Sequence, residues 1–336
     1  MSRAMLVRLV PLACLALAMA QAATADALRL RGETMGTTWQ VSVVATTPAA
    51  SDLRRRIDAL LERINGQMST YRPESELSLL NANPSRDWLP VSGELFTLLQ
   101  AARQVSIATD GAFDITVGPL VNLWGFGAQA RVDAPPSPAA LRDAQARVGY
   151  RQLELADAPP RLRKARGDVY LDLSAIAKGY AVDQVAELLE RAGITDYLVD
   201  IGGEVRARGH NAEGRPWQVG VALPRADVDR IERVLPLTDS ALATSGDYRN
   251  FFEYQDRRYS HEIDPASGRP VSNDVASVSV LHASCMLADA YATAFMVLGA
   301  ERGLAVAARQ KLEVLFLMRD GEGFRARASA GFPARR

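Results

Sequence analysis

The sequence predicts an α+β protein: a mixed, mainly antiparallel sheet core with packed helices. Three observations predict it. Apolar and polar residues alternate in short segments, the first at Trp39, Val41 and Val43, as a half-buried strand requires. Elsewhere the apolar residues fall three and four apart, as at Leu53, Ile57, Leu60, Leu61 and Ile64, which is the stripe of an amphipathic helix. The segments follow one another without any internal repeat. Neither G-x-G-x-x-G between a strand and a helix nor G-x-x-x-x-G-K-[ST] occurs, which disfavours a dinucleotide-binding dehydrogenase and a P-loop enzyme.

The elements read in order as follows. After the strand at 39–43, Ser51 stands as N-cap of the helix through Ile64. Ser92 introduces a second helix through Leu95, Leu98, Leu99, Ala102 and Val105, which ends before Gly111. Residues 133–138 hold three prolines and read as a surface loop. Strands are expected at 153–155 and 169–173. A helix over 174–191 closes at Gly193, a residue suited to a helix C-terminus. Strands at 197–201, 204–208 and 217–223, a hairpin at 251–269 and a strand at 275–281 come next. Helices at 289–298 and 301–310 and a strand at 314–318 complete the pattern.

Composition excludes several classes. The chain has 336 residues, 39 basic against 39 acidic, with no Lys/Arg-rich block, so a nucleic-acid partner is not expected. A hydrophobic fraction of 48% is enough for a large core and argues against disorder. Two cysteines cannot staple a fold of this size. The first 25 residues stand apart: Arg3 and Arg8, an apolar run from Leu9 to Ala20, then small residues at Ala20, Ala22, Ala23 and Ala25. That is the pattern of a secretory signal peptide, too short to span a bilayer comfortably. Residues 1–25 are therefore expected to be removed on export to the periplasm, leaving 26–336 as one domain without a convincing linker.

Three scattered histidines, His210, His261 and His282, argue against a His-rich zinc site, and no G-x-S-x-G elbow marks a serine hydrolase. The chemistry must come from four polar constellations inside apolar surroundings. Glu33 to Trp39 (ETMGTTW) reads either as a turn before a strand or as a site, and so does Asp110 to Pro119 (DGAFDITVGP). In Asp172 to Asp183 (DLSAIAKGYAVD), Asp172 and Ser174 suit capping, but Lys178 lies among small apolar neighbours. A lysine there is costly unless it meets an anion, and a helix N-terminus attracts phosphate. In the fourth, Ser260 to Pro270 accompanies Asp289 and Thr293, four residues apart on one helix face. That carboxylate and hydroxyl suit a hard cation such as Mg2+; an acid near a helix N-terminus is the plainer reading.

Together, and in this order, these segments resemble the ApbE family of flavin transferases. The resemblance runs from Glu33 to about Gly299. It also includes MSTYRPES at 68–75, VDIGGE at 199–204, ATSGDY at 243–248, HEIDPASGRP at 261–270 and DAYAT at 289–293. It implies an ApbE-like fold and an enzyme that cleaves FAD with Mg2+. FMN would pass to a threonine hydroxyl in an S/T-G-A-T-like segment of an acceptor protein, with release of AMP. By the same resemblance, the acceptor would be a membrane-bound electron-transfer subunit.

The resemblance also places residues. Met35, Tyr71, Ala112, Phe113, Asp114, Asp172, Lys178 and Ile263 would line the FAD site, and the carbonyl of Ala175 with Asp289 and Thr293 would hold Mg2+. Ala292 stands where some members carry a further acidic ligand. Glu262 stands where an apolar residue is common, and strand alternation would turn it away from the site. Lys178 would add fixed positive potential, and His261 would take the proton of the acceptor threonine. A Mg2+-dependent FAD pyrophosphatase and a non-catalytic exported flavin-binding protein are the alternatives.

Overall fold

A computed structural model describes residues 27–44, 50–129, 132, 134–225 and 230–334; the expected signal peptide lies outside the described residues. The frame is one eight-stranded sheet: β1 (Ala27–Thr34), β2 (Thr37–Val44), β3 (Tyr197–Ile201), β4 (Glu204–Arg208), β5 (Ser240–Gly246), β6 (Val275–His282), β7 (Glu313–Asp320) and β8 (Gly323–Ala328). Its spatial order is its chain order, and each pairing is antiparallel. Everything else is inserted between neighbouring strands.

Both faces of the sheet are covered, which explains the unbroken apolar run in β7. Val314, Phe316 and Met318 point into the larger core with the helices, while Leu315 and Leu317 point into a second core. Trp217–Ala222 and Ile231–Leu237 form a separate hairpin that covers this second face. The helices are α1 (Ala50–Met68), α2 (Glu76–Ala82), α3 (Gly93–Ala108), α4 (Gly118–Leu123), α5 (Pro138–Gln145), α6 (Ala177–Arg191) and α7 (Cys285–Gln310). Ser75, Ser92, Ser137 and Ser284 cap α2, α3, α5 and α7 by accepting an amide proton in the first turn.

Several expectations need correction. Residues 169–173 form no strand: Asn81 pairs with Leu171 through both its amide groups, and Asp172 N–H donates to the carbonyl of Ile115 at 2.7 Å. Side-chain and loop partners thus replace a ladder. The helix expected from 174 begins at Ala177, because residues 174–176 form a turn in which Ile176 and Ala177 N–H both reach the carbonyl of Leu173. The two helices expected at 289–298 and 301–310 are present, run together over Cys285–Gln310 and divided at Gly299, whose φ of 73° and ψ of 172° are non-helical; only the start differs. This span starts at Cys285, which places Asp289 in its second turn. The hairpin at 251–269 is two ribbons, Phe251–Tyr254 with Arg257–Ser260 and Ile263–Asp264 with Arg269–Pro270. The loop expected at 133–138 gives way to α5 at Pro138, and Asp133 lies outside the described residues.

The contact of α6 with α7 positions the site. Asp183, four residues after Gly179, accepts from the amides of Cys285 and Met286 and from the hydroxyl of Ser284. Asp289, four residues after Cys285, accepts from the amide of Gly179 at 3.0 Å. Each helix thus supplies the anion that the other's N-terminus attracts. Residue 179 must be glycine for the helices to come this close, since a Cβ there would lie 2.4 Å from the carbonyl oxygen of Cys285. Gly179→Ala is therefore expected to destabilise the protein by about 1–3 kcal/mol. Urea denaturation tests this, and an unchanged midpoint would mean that the helices separate freely.

Candidate active site

A cavity of about 940 Å³ opens between the β1–β2 turn, the end of α1, residues 69–72 and the start of α6. It falls within the range of roughly 300–1,000 Å³ usual for small-molecule sites. The turn is a two-residue hairpin loop with both central residues left-handed, Met35 at φ 50° and Gly36 at φ 70°. Such loops match the twist of their strands, and here the loop brings Met35 to the cavity wall. Across from it, Tyr71 is 67% exposed, an aromatic face available to a flat ring. Partial burial, then the charge of Asp172 and neighbouring Tyr170, pushes its hydroxyl above the ordinary tyrosine range. Asp172 and Lys178 line the same cavity.

Behind Lys178 lies a buried charge cluster. Its ammonium is 2.6 Å from Glu204 Oε1. Glu204 follows the Gly202–Gly203 turn and is 3% exposed, and Asp289 is also 3% exposed. Burial works against the Lys178 charge, but Asp289 and Glu204 hold its pKa above the usual lysine range. Burial pushes both carboxyls up against the opposing charge of Lys178, and for Glu204 the charge of Asp289 adds to the rise.

This cluster fits a divalent cation on its own chemistry. Gly179 N–H is a first-turn amide of α6, without an intrahelical acceptor, and it donates to Asp289 Oδ2. The Ala175 carbonyl, in the turn ahead of the helix, accepts no backbone hydrogen bond among the described residues, and Asp289 Oδ1 accepts none either. Thr293 Oγ1 lies 3.1 Å from Ser245 Oγ, and Glu204 Oε2 is buried without a partner. Among the described residues no three His, Cys, Asp or Glu side chains converge as a metal site. The donor set is instead one of oxygens from a carboxylate, a hydroxyl and a carbonyl, which suits Mg2+.

The remaining expected FAD-site residues and His261 do not line the 940 Å³ cavity. Ala112 and Phe113 are buried in the main core. Asp114 accepts from Thr116 N–H, Thr116 Oγ1 and Tyr150 N–H, which uses both its oxygens; burial pushes its carboxyl up against those bonds. This segment reaches the cavity through the bond from Asp172 N–H to Ile115. Ile263 packs with Leu120 and Trp124 in a smaller core. His261 is half-buried, its Nδ1 3.2 Å from the carbonyl oxygen of Asn250 and its Nε2 3.7 Å from Glu262 Oε1.

Glu262 corrects an expectation. It does not alternate away, because the chain bends at His261 and the ribbon strand begins only at Ile263. Its side chain is buried beside His261 and within electrostatic reach of Asp247, Asp289 and Lys178.

Comparison with known proteins fits this arrangement. The ApbE family model matches residues 35–316. The chain belongs to the ApbE family. A Vibrio cholerae relative named FAD:protein FMN transferase is 44% identical, over 96% of this chain and 97% of its own. A Haemophilus influenzae relative of the same name is 41% identical, over 91% of this chain and 90% of its own. The solved structure of the flavin transferase ApbE from Vibrio cholerae superposes with a TM-score of 0.85 at 44% identity, covering 92% of this chain and 98% of that one. The ApbE protein of Thermotoga maritima gives a TM-score of 0.81 at 30% identity, covering 91% and 97%. The shared frame is the α+β fold with its large antiparallel sheet.

Sequence reasoning assigned no role to Glu204, Asp183 or Ser245. An acid directly after a Gly-Gly turn was the available signal for Glu204. Asp183 and Ser245 carry no such signal, because the α7 groups that they meet, Ser284 and Thr293, lie 101 and 48 residues further along the chain.

The Glu262 carboxyl allows a pH test. Burial raises its pKa above the ordinary 4.5; His261 and Lys178 oppose the rise, and Asp247 and Asp289 add to it. The native state thus holds this proton more tightly than the unfolded chain. Its contribution to stability is present below the ordinary value and is lost as pH rises through the raised one. Glu262→Gln, which keeps the neutral form, should gain stability over the parent protein at pH 8 but not at pH 4. Urea midpoints of both proteins at each pH check this.

Proposed function

We propose that this ApbE protein transfers FMN from FAD to a threonine hydroxyl of an acceptor protein, with Mg2+ as cofactor and AMP as leaving group. The names of its relatives support the flavin transfer. The bond from the Gly179 amide to Asp289 Oδ2 carries the Mg2+ reading, since it orients the carboxylate with Oδ1 free beside a turn whose Ala175 carbonyl accepts no backbone hydrogen bond.

Ala175, Asp289 and Thr293 would hold Mg2+, which when bound neutralises pyrophosphate oxygens. Tyr71 and Met35 on the cavity wall receive the flat rings of FAD, and Asp172 and Lys178 border its polar part. Lys178, held cationic by its two acids, presents fixed positive charge to the phosphates without reorganising. His261 uses Nδ1–H to donate to Asn250, so Nε2 carries the lone pair. The threonine Oγ attacks the phosphorus of the FMN half and its proton passes to Nε2. The phosphoanhydride bond breaks and AMP leaves with the bridging oxygen. Phosphoryl transfer of this kind depends mainly on positioning and charge. The acceptor is an exported, membrane-bound electron-transfer subunit, and the signal-like residues 1–25 would bring the enzyme to the same compartment.

The experiment is to mix the protein with FAD, Mg2+ and an acceptor containing Ser-Gly-Ala-Thr, then to read flavin fluorescence on the denatured acceptor. Free FMN without labelled acceptor would replace transfer by hydrolysis, and intact FAD would leave only binding. His261→Ala should lower transfer by about 10²–10⁴-fold with FAD affinity retained, as measured by fluorescence titration. Asp289→Ala, or chelation of Mg2+ by EDTA, should abolish transfer. An Asp289→Ala variant with the parent's Mg2+ dependence would remove that residue from the metal site.

A further inference from the structure

A second cavity, of about 540 Å³, borders the segment that leads into His261. All four residues of the strand Arg257–Ser260 line it. Successive side chains of a strand point to opposite faces, so four in a row reach one cavity only where it runs along the strand's edge. No residue of the partner strand Phe251–Tyr254 lines it, which places it on the open side. Among the described residues that edge has no ladder partner.

The walls are cationic. Arg257, Arg258, Arg269 and Arg319 border the cavity, against Asp247 and Asp264. Both acids are engaged, Asp247 with Arg319 at 2.5 Å and Asp264 Oδ1 with the amide of Ala266. Among the described residues Arg257 and Arg269 pair with no carboxylate; Arg257 lies over the Tyr259 ring. Ser260 is 4% exposed, and its hydroxyl has no hydrogen-bond partner. A buried hydroxyl without a partner, on the wall of a cavity lined by guanidinium groups, suits an oxyanion ligand.

We infer that this cavity is the docking groove for an acidic, extended segment of the acceptor protein. The segment adds to the open edge of Arg257–Ser260 as a further strand. Its carboxylates meet Arg257, Arg269 and the Ser260 hydroxyl. A segment in that register delivers its threonine to His261, the residue that follows the strand. An extended peptide meets the open backbone edge as well as the charges, whereas a small anion meets the charges alone. The inference rests on the acceptor-modifying role proposed above.

The test uses the full chain with FAD and Mg2+ and a fluorescein-labelled peptide bearing Asp-Glu ahead of Ser-Gly-Ala-Thr. A second peptide has Asn-Gln in their place. In the double variant Arg257→Gln/Arg269→Gln, KM for the acidic peptide should rise about tenfold, with KM for FAD and thermal stability unchanged. The Asn-Gln peptide should bind weakly to both proteins. Acidic-peptide affinity, measured by fluorescence anisotropy without turnover, should fall as salt rises from about 50 to about 500 mM. Equal affinity of parent and variant for the acidic peptide would overturn the inference, as would displacement of the peptide by inorganic phosphate at equal concentration. If the parent binds the acidic peptide in this manner but labels neither peptide nor whole acceptor, the transfer reading fails and the groove stands.

Discussion

Helices α6 and α7 meet at their N-terminal ends, and each takes its capping anion from the other. Two positive helix ends facing each other would repel, and their free amides would be buried without partners. Asp183 and Asp289 solve both problems from the second turn of each helix, and Gly179 lets the backbones approach closely enough for the bonds to form. The rest of the site takes its position from this crossing. Lys178 precedes Gly179, the Ala175 turn leads into it, and Thr293 lies one turn beyond Asp289.

The crossing has an electrostatic consequence. Asp183 is balanced by Arg206 at 2.8 Å, so that half of the arrangement is closed. The other half is not: Asp289 and Glu204 share Lys178 alone, and burial raises both carboxyls. The same geometry that builds the fold on one side therefore leaves two buried carboxyls on one ammonium, with free oxygens, on the other. Such a centre suits a cation, and it stands behind the cavity in which Tyr71 and Met35 offer apolar and aromatic surface. Structural capping and candidate metal binding are thus two uses of one carboxylate.

The sheet explains why these parts stay in place. Its strands run in chain order, so each insertion leaves and returns between neighbours and is anchored at both ends. The insertion between β2 and β3 carries Tyr71, Asp172 and Lys178, that between β5 and β6 carries His261, and that between β6 and β7 carries Asp289 and Thr293. Cores on both faces hold the sheet rigid beneath them.

Local pattern determined much of this. Alternation fixed β2 and β3, helical spacing fixed α1 and α3, and the motif residues Lys178, Asp289 and Thr293 were legible because each is a polar group in an apolar run. The fate of residues 169–173 and the meeting of α6 with α7 were decided by partners distant in sequence. Asn81 replaced a ladder strand, and Asp183 and Asp289 reached amides more than a hundred residues away. The inward side chain of Glu262 depended on a bend that alternation does not record. Periodicity reports which face a residue shows its neighbours along the chain. It carries no information on which remote carboxylate reaches which free amide, and that pairing makes the site.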